Sequence, residues 1–175
     1  MHAALEEAVQ GDLILRNPAE HANKPTVRQG EIEPLDADQA LTFLEATRGD
    51  RCEALYVLCL KAGLRQGETL GLKWSDIDLE AGTLRVNRQL QRIRRDGEKS
   101  GALIFSEPKN ASRRTVGLPQ RAVETLHIHR KRQVKEKLQA GPLYEDQGLV
   151  FATAKGTPLE AQNVANRQFK PTAVQ

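Results

Sequence analysis

The segment from Arg51 to Lys61 is the strongest constraint on how this chain folds, because it is apolar nearly all round (Ala54, Leu55, Val57, Leu58, Leu60). A helix without a polar face has to be enclosed on every side, so this one is expected at the centre of a core. Asp50 stands where an N-cap belongs, and Gly63 where helices end in a left-handed residue. A second helix is expected from about Asp36, with Asp38, Ala40, Leu41, Phe43 and Leu44 in amphipathic order, and a short one from Gln66 to Leu72. The period then changes after Asp78. Thr83 to Leu90 alternates in twos and reads as a strand. Ala102–Phe105 reads as a second strand and Arg113–Leu118 as a third, with a turn at Arg95-Asp96-Gly97-Glu98. Pro119 precedes a helix from Gln120 to about Gln139. Leu149-Val150-Phe151 leads to a turn at Lys155-Gly156-Thr157-Pro158, and Glu160 to Phe169 begins a last helix. The expected fold class is α+β, mainly helical with a small three-stranded antiparallel sheet.

The N-terminal stretch is different. His2 to Ile14 reads as a helix whose apolar stripe has no obvious partner before it, and Arg16 to Pro34, with three prolines, reads as an extended linker. Cys52 and Cys59 fall seven apart in the apolar helix, so they read as reduced core thiols. No stretch approaches the length of a membrane span and no apolar signal region opens the chain, so a cytoplasmic protein is expected, with no membrane contact.

Charge is unevenly distributed. Residues 1–84 carry 8 Lys/Arg against 15 Asp/Glu, whereas residues 85–137 carry 15 against 5. A local cationic excess of that size is what a nucleic-acid surface requires, since each Lys or Arg on a phosphate releases condensed counterions. A solvated face would explain the charge alone equally well.

Two blocks carry chemistry. The first is Ala62-Gly63-Leu64-Arg65-Gln66-Gly67-Glu68-Thr69-Leu70, followed by Leu72-Lys73-Trp74-Ser75-Asp76-Ile77-Asp78. A phosphodiester in transfer gains a second negative charge, and the guanidinium of Arg65 offers a planar fork that matches two phosphate oxygens. Its place at a helix start adds a favourable backbone field for an anion, and Glu68, three residues on, can hold the guanidinium. The plainer reading is a surface Arg–Glu pair of a few tenths of a kcal/mol. The second block is Pro108-Lys109-Asn110-Ala111-Ser112-Arg113-Arg114-Thr115-Val116-Gly117-Leu118-Pro119. Lys109 sits at a hairpin tip from which it can reach a phosphate, and Lys99 is a rival at another turn. Arg113 and Arg114 read as DNA-backbone contacts or as edge-strand protection. Adjacent strand residues point to opposite faces, so one of the two must face out.

Together these blocks resemble the catalytic domain of tyrosine recombinases, the phage-integrase family. The resemblance covers about Ala3 to Phe169. It implies residues 1–15 as the last helix of a missing N-terminal DNA-clamping domain, 16–34 as linker, and 35–175 as the N-terminal two-thirds of the catalytic domain, incomplete at its C-terminus. It also implies the reaction: cleavage of double-stranded DNA by a tyrosine hydroxyl, a 3′-phosphotyrosyl link, and rejoining to a partner 5′-hydroxyl. Arg65 and Lys109 would be catalytic, the lysine protonating the leaving 5′-oxygen, with Glu68 supporting and Arg113 and Arg114 on DNA. No cofactor and no metal is implied, and the full-length protein would act as a homo-oligomer on DNA.

The family's second arginine belongs to an H-x-x-R motif. His127-Ile128-His129-Arg130 spells it, but on the helix after Leu118-Pro119, in one stripe with Val123, Leu126, Val134 and Leu138. In family order the motif comes later, so His127 and Arg130 read as packing and snorkelling residues. The nucleophile follows that motif, and the two tyrosines, Tyr56 in the apolar helix and Tyr144 in a loop, do not match it. This polypeptide alone is therefore expected to be an inactive fragment of a recombinase. The alternatives are a non-catalytic DNA-binding protein of the same fold and a helical module whose basic band binds an acidic protein.

Overall fold

A computed structural model divides the chain into two compact units, Met1–Pro34 and Leu35–Gln175. The structure describes residues 2–21, 34–94, 101–108 and 113–169, with backbone alone at Arg167 and Gln168. In the first unit, helix α1 (His2–Gln10) buries none of its residues. It ends four residues before the expected Ile14, at Gly11 and at Asp12 with its φ of 54°. Asn17 closes the turn: its Nδ2 donates to Glu6 Oε2 (2.8 Å), and its Oδ1 accepts from the Ala19 amide (2.9 Å). Most of the expected linker, residues 22–33, lies outside the described residues.

The second unit begins with α2 (Ala37–Ala46). Asp36 Oδ1 accepts from the Gln39 amide (2.8 Å) while Gln39 Oε1 accepts from the Asp36 amide (3.0 Å), a reciprocal cap. Helix α3 (Glu53–Lys61) follows, entered through Asp50, whose Oδ1 accepts from the Cys52 amide (2.7 Å). Ala54 to Leu58 are all buried, which is the central position that its apolar surface demands. Gly63 ends it at φ +62°. Helix α4 (Gln66–Leu70) comes next, and the 21-residue α5 (Gln120–Ala140) packs against α3 through Ala122, Thr125, Leu126 and His129. The Arg51 fork locks this pairing, with Nε and Nη2 on Glu136 (2.9 and 2.8 Å) and Nη2 also on the Ala152 carbonyl (2.8 Å). With so few aromatics, the core is aliphatic: Leu44, Leu58, Leu70, Leu84, Leu126 and Val150 are almost wholly enclosed around Phe151. Each such leucine contributes roughly 1.5–3 kcal/mol of burial.

Among the described residues the unit also holds five short strands: β1 (Ile77–Asp78), β2 (Thr83–Val86), β3 (Gln89–Ile93), β4 (Ala102–Ser106) and β5 (Arg114–Gly117). The three-stranded antiparallel sheet has the order β1-β2-β5, and β3-β4 is a separate antiparallel pair. The membership therefore differs from the expectation of one continuous strand over 83–90. The break falls at Asn87-Arg88, because both side chains turn to one buried carboxylate. Asn87 Nδ2 reaches Asp76 Oδ1 (2.8 Å), and the Arg88 fork grips the same group. Neighbours on a regular strand point to opposite faces and cannot do this. The turn expected at 95–98 lies outside the described residues.

Helix α4 lies directly on the β3 backbone. A Cβ at Gly71 would stand 3.0 Å from the Leu90 nitrogen, tighter than ordinary contact, so a side chain there would push the two backbones apart by a few tenths of an ångström. The last helix is a single α turn, α6 (Ala161–Val164), continued as a π turn over Ala165–Phe169. Among the described residues no helix is long and apolar enough to cross a membrane.

Candidate active site

Arg65 is the extended N-cap of α4 (φ −68°, ψ 148°), a conformation that swings its side chain away from the helix and leaves it 74% exposed. Leu64, buried just before it, anchors the backbone. Because α4 has only five residues, the helix field expected at its start is small, and the anchoring of Arg65 comes from Glu68 instead. The Glu68 side chain, 2% exposed, accepts the Arg65 amide on Oε2 (2.9 Å) and Arg65 Nη1 on Oε1 (3.1 Å).

A third group enters from the sheet. Arg114 Nη1 and Nη2 donate to Glu68 Oε1 and Oε2 at 2.9 and 2.8 Å, a bidentate pair. Strand parity explains why this arginine and not its neighbour is the one that reaches Glu68. Arg114 lies opposite Val86 and Val116 opposite Leu84 in the β2–β5 register, and Val86 and Leu84 are buried. Directly opposed residues share a face, so Arg114 points inward. Arg113, one residue before the strand, is exposed and pairs with Glu107 at 3.0 Å. Arg114, expected on the DNA backbone, thus has its fork committed to a buried carboxylate that needs a cation.

The electrostatics follow from this geometry. The Arg114 hydrogen bonds, against the opposing effect of burial and with the help of the Arg65 amide and side chain, hold the Glu68 carboxyl down at about 2. Two guanidiniums on one carboxylate leave the cluster with net positive charge, and the exposed fork of Arg65 presents it. Among the described residues Glu68 is the one partner of the Arg65 guanidinium. An anion can therefore reach most of its N–H groups.

The block Trp74-Ser75-Asp76, which accompanies Arg65 in the sequence pattern, is structural. Asp76 is buried and accepts from the Lys73 amide (2.9 Å), Asn87 and Arg88. Burial raises its carboxyl, but the hydrogen bonds from Arg88, Asn87 and Lys73 outweigh it, and the net direction is down. This staple holds α4 and the start of the sheet against β3. Sequence reading missed it, and the adjacent Asn87-Arg88 inside an alternating run was the signal that could have found it.

The H-x-x-R of α5 is placed away from the expected stripe. The buried face runs through Ala122, Leu126 and His129, so His127 is exposed and Val134 and Leu138 are 52% and 77% exposed. The packing histidine is His129, which is buried with Nε2 2.8 Å from the Val150 carbonyl. Arg130 does snorkel, its guanidinium 5.1 Å from the centre of the Trp74 ring, while Trp74 Nε1 donates to Gln133 (2.6 Å). Tyr56 is core and burial pushes its phenol pKa up. Tyr144 is half-buried under the Lys137 ammonium, 5.8 Å from its ring centre. Of the expected site residues, then, Arg65, Glu68 and Arg114 meet at one place and Arg113 lies outside it. Lys109, with its rival Lys99, lies outside the described residues.

Comparison with known proteins gives a consistent result. The family model described as "Phage integrase family" matches residues 33–173. A tyrosine recombinase XerC-like protein from Caldanaerobacter subterraneus subsp. tengcongensis is 40% identical over 141 residues, covering 77% of this chain and 36% of the relative. An integrase from Streptomyces ambofaciens is 32% identical, over 97% of this chain and 43% of the relative. Among solved structures, the Tn1549 transposon integrase in complex with a circular intermediate DNA superposes with a TM-score of 0.70 at 25% identity, over 98% of this chain and 54% of that one. The chain thus spans less than half the length of these two curated relatives.

Proposed function

The chain belongs to the phage integrase family, and on that premise we propose that it serves site-specific DNA recombination, providing part of a catalytic domain that cuts and rejoins duplex DNA through a 3′-phosphotyrosyl link. Residues 35–175 correspond to the first two-thirds of that domain, 16–34 to the linker and 1–15 to the closing helix of the clamping domain. The observation that carries the reading is Arg65: an exposed guanidinium pinned from behind by a buried carboxylate, in a cluster that stays net positive. Such a group is ordered before the anion arrives and stabilises the charge that a phosphodiester gains in transfer. Lys109 is assigned the proton that the leaving 5′-oxygen takes up, and Arg113, exposed just before β5, a backbone phosphate.

The polypeptide of 175 residues is expected to hold DNA without cutting it. Tyr56 is enclosed, with its hydroxyl buried, and Tyr144 lies under Lys137. Tyr56 therefore offers no accessible nucleophile, and no role is assigned to the half-buried Tyr144. Two measurements test the reading. Affinity for generic duplex DNA should fall steeply with salt, and Arg113→Gln should lower the slope of log K against log[salt] by about one, the contribution of one phosphate. No binding at low salt would sink the assignment. A nicked duplex that traps phosphotyrosine should yield no covalent adduct, and an adduct on either tyrosine would overturn the silent-fragment part alone.

A further inference from the structure

We propose that Arg114 is a positioning residue that acts on Arg65 through Glu68, neutralising the buried carboxylate so that the Arg65 fork stays turned toward solvent and an incoming phosphate. This rests on the reading of Arg65 as the phosphate-binding group. The argument starts from the carboxylate. A glutamate side chain that is 2% exposed has to be matched by cations, and two compete for it. Arg114 takes both oxygens in the fork geometry, at 2.9 and 2.8 Å, from a rigid strand that is itself hydrogen-bonded in register to β2. Arg65 gets one longer contact, 3.1 Å from a single nitrogen, and its side chain stays 74% exposed while that of Arg114 is 34% exposed.

Without Arg114, the only cation left beside Glu68 among the described residues is Arg65. The two groups are already joined through the Arg65 amide, and a short rotation of the side chain would bring its fork onto both oxygens. The arginine that should meet a phosphate would then be consumed by its own helix. Arg114 prevents this without touching the anion. Its strand parity, inward with Val116 rather than outward with Arg113, is what makes the role possible.

The test uses the full 175-residue chain, inorganic phosphate as the probe, and nitrogen-15 spectra of the arginine Nε–H groups. Phosphate should shift the Arg65 resonance in the parent protein. Arg114→Gln should weaken that response about tenfold, the scale of one charge-assisted hydrogen bond, and slow the rotation of the Arg65 guanidinium as Glu68 captures it. The double variant Glu68→Gln with Arg114→Gln decides the mechanism. It has the parent's net cluster charge, strands no buried carboxylate, and its glutamine amide oxygen still accepts from the Arg65 amide. Phosphate affinity at Arg65 should recover most of what Arg114→Gln loses, because the net local charge is restored, and should stop short of the parent because the Glu68 carboxylate no longer orders the fork. If the double variant is as weak as Arg114→Gln, Arg114 touches the anion itself and the positioning role is refuted. An unchanged response in Arg114→Gln refutes it as well. Should that single variant fail to fold, Arg114→Lys replaces it: an ammonium cannot hold both Glu68 oxygens in the fork geometry, so the Arg65 response to phosphate should weaken severalfold, and an unchanged response refutes the role. A parent Arg65 that ignores phosphate would instead sink the phosphate reading. Slowed rotation in Arg114→Gln would then still show the capture.

Discussion

Replacing Glu68 with glutamine should make the stability of this protein far less dependent on acid. The folded carboxyl titrates at about 2, against 4.5 for an ordinary glutamate, with Arg114 as the main cause. Each tenfold gap in proton affinity is worth about 1.4 kcal/mol, so the charged carboxylate contributes about 3 kcal/mol near neutrality. The sign follows from the direction of the shift. The group's pKa is depressed in the folded state, so its contribution is complete above the ordinary value of 4.5 and is lost as pH falls toward 2. By pH 3 about half of it, roughly 1.4 kcal/mol, should remain. The Glu68 side chain is 2% exposed but that of Arg114 is 34% exposed, so solvent screening makes this figure the upper end. The assay is urea denaturation of the parent and of Glu68→Gln at pH 7, 4 and 3, read from the shift of midpoint at constant slope. The parent should be more stable by up to about 3 kcal/mol at pH 7, and the gap should close steadily toward pH 3. A gap that stays constant with pH would mean that Glu68 acts by shape and not by charge, and would refute the ion-pair account of the cluster.

Two further outcomes follow from packing. Gly156 has φ +85°, and a Cβ there would stand 2.3 Å from the Glu145 carbonyl oxygen, so Gly156→Ala should cost at least about 2 kcal/mol and lower the melting temperature by several degrees. An unchanged melting temperature would show that the 145–156 turn is not a fixed part of the fold. Tyr56 buries a hydroxyl with no hydrogen-bond partner among the described residues. Tyr56→Phe should therefore be neutral or stabilising by up to about 1 kcal/mol in urea melts, and a clear loss would reveal an unrecognised partner.

Helices were the most legible part of this chain. Their ends are written in single residues: Asp36 with Gln39, Gly63 and Pro119 each do locally what their chemistry allows, whereas the cap expected at Asp50 falls two residues early, since α3 starts at Glu53 behind Cys52. The central place of α3 was legible for the same reason, since no surface position suits a helix without a polar side. Short strands were less so. Alternation over 83–90 looked unbroken, yet two sheets divide it, because a buried aspartate eleven and twelve residues upstream claims both side chains at the break. On α5, the stripe through His127 and the face that packs on α3 differ by about one residue step, roughly 100° around the helix axis, which an apolar pattern this sparse does not fix.

The candidate site shows the same division. Arg65 and Glu68 are three apart on one short helix, so their pairing is a local event that sequence spacing alone determines. The recruitment of Arg114, 46 residues beyond Glu68, is not local. It depends on the register of β5 against β2, which chooses the inward-facing member of an Arg-Arg pair. The chain by itself thus decides which residues can bind a phosphate, because charge and fork geometry belong to the side chains. Only the packed sheet decides which of those charges is spent inside the protein and which is left for a ligand, because a buried carboxylate selects its cation by distance.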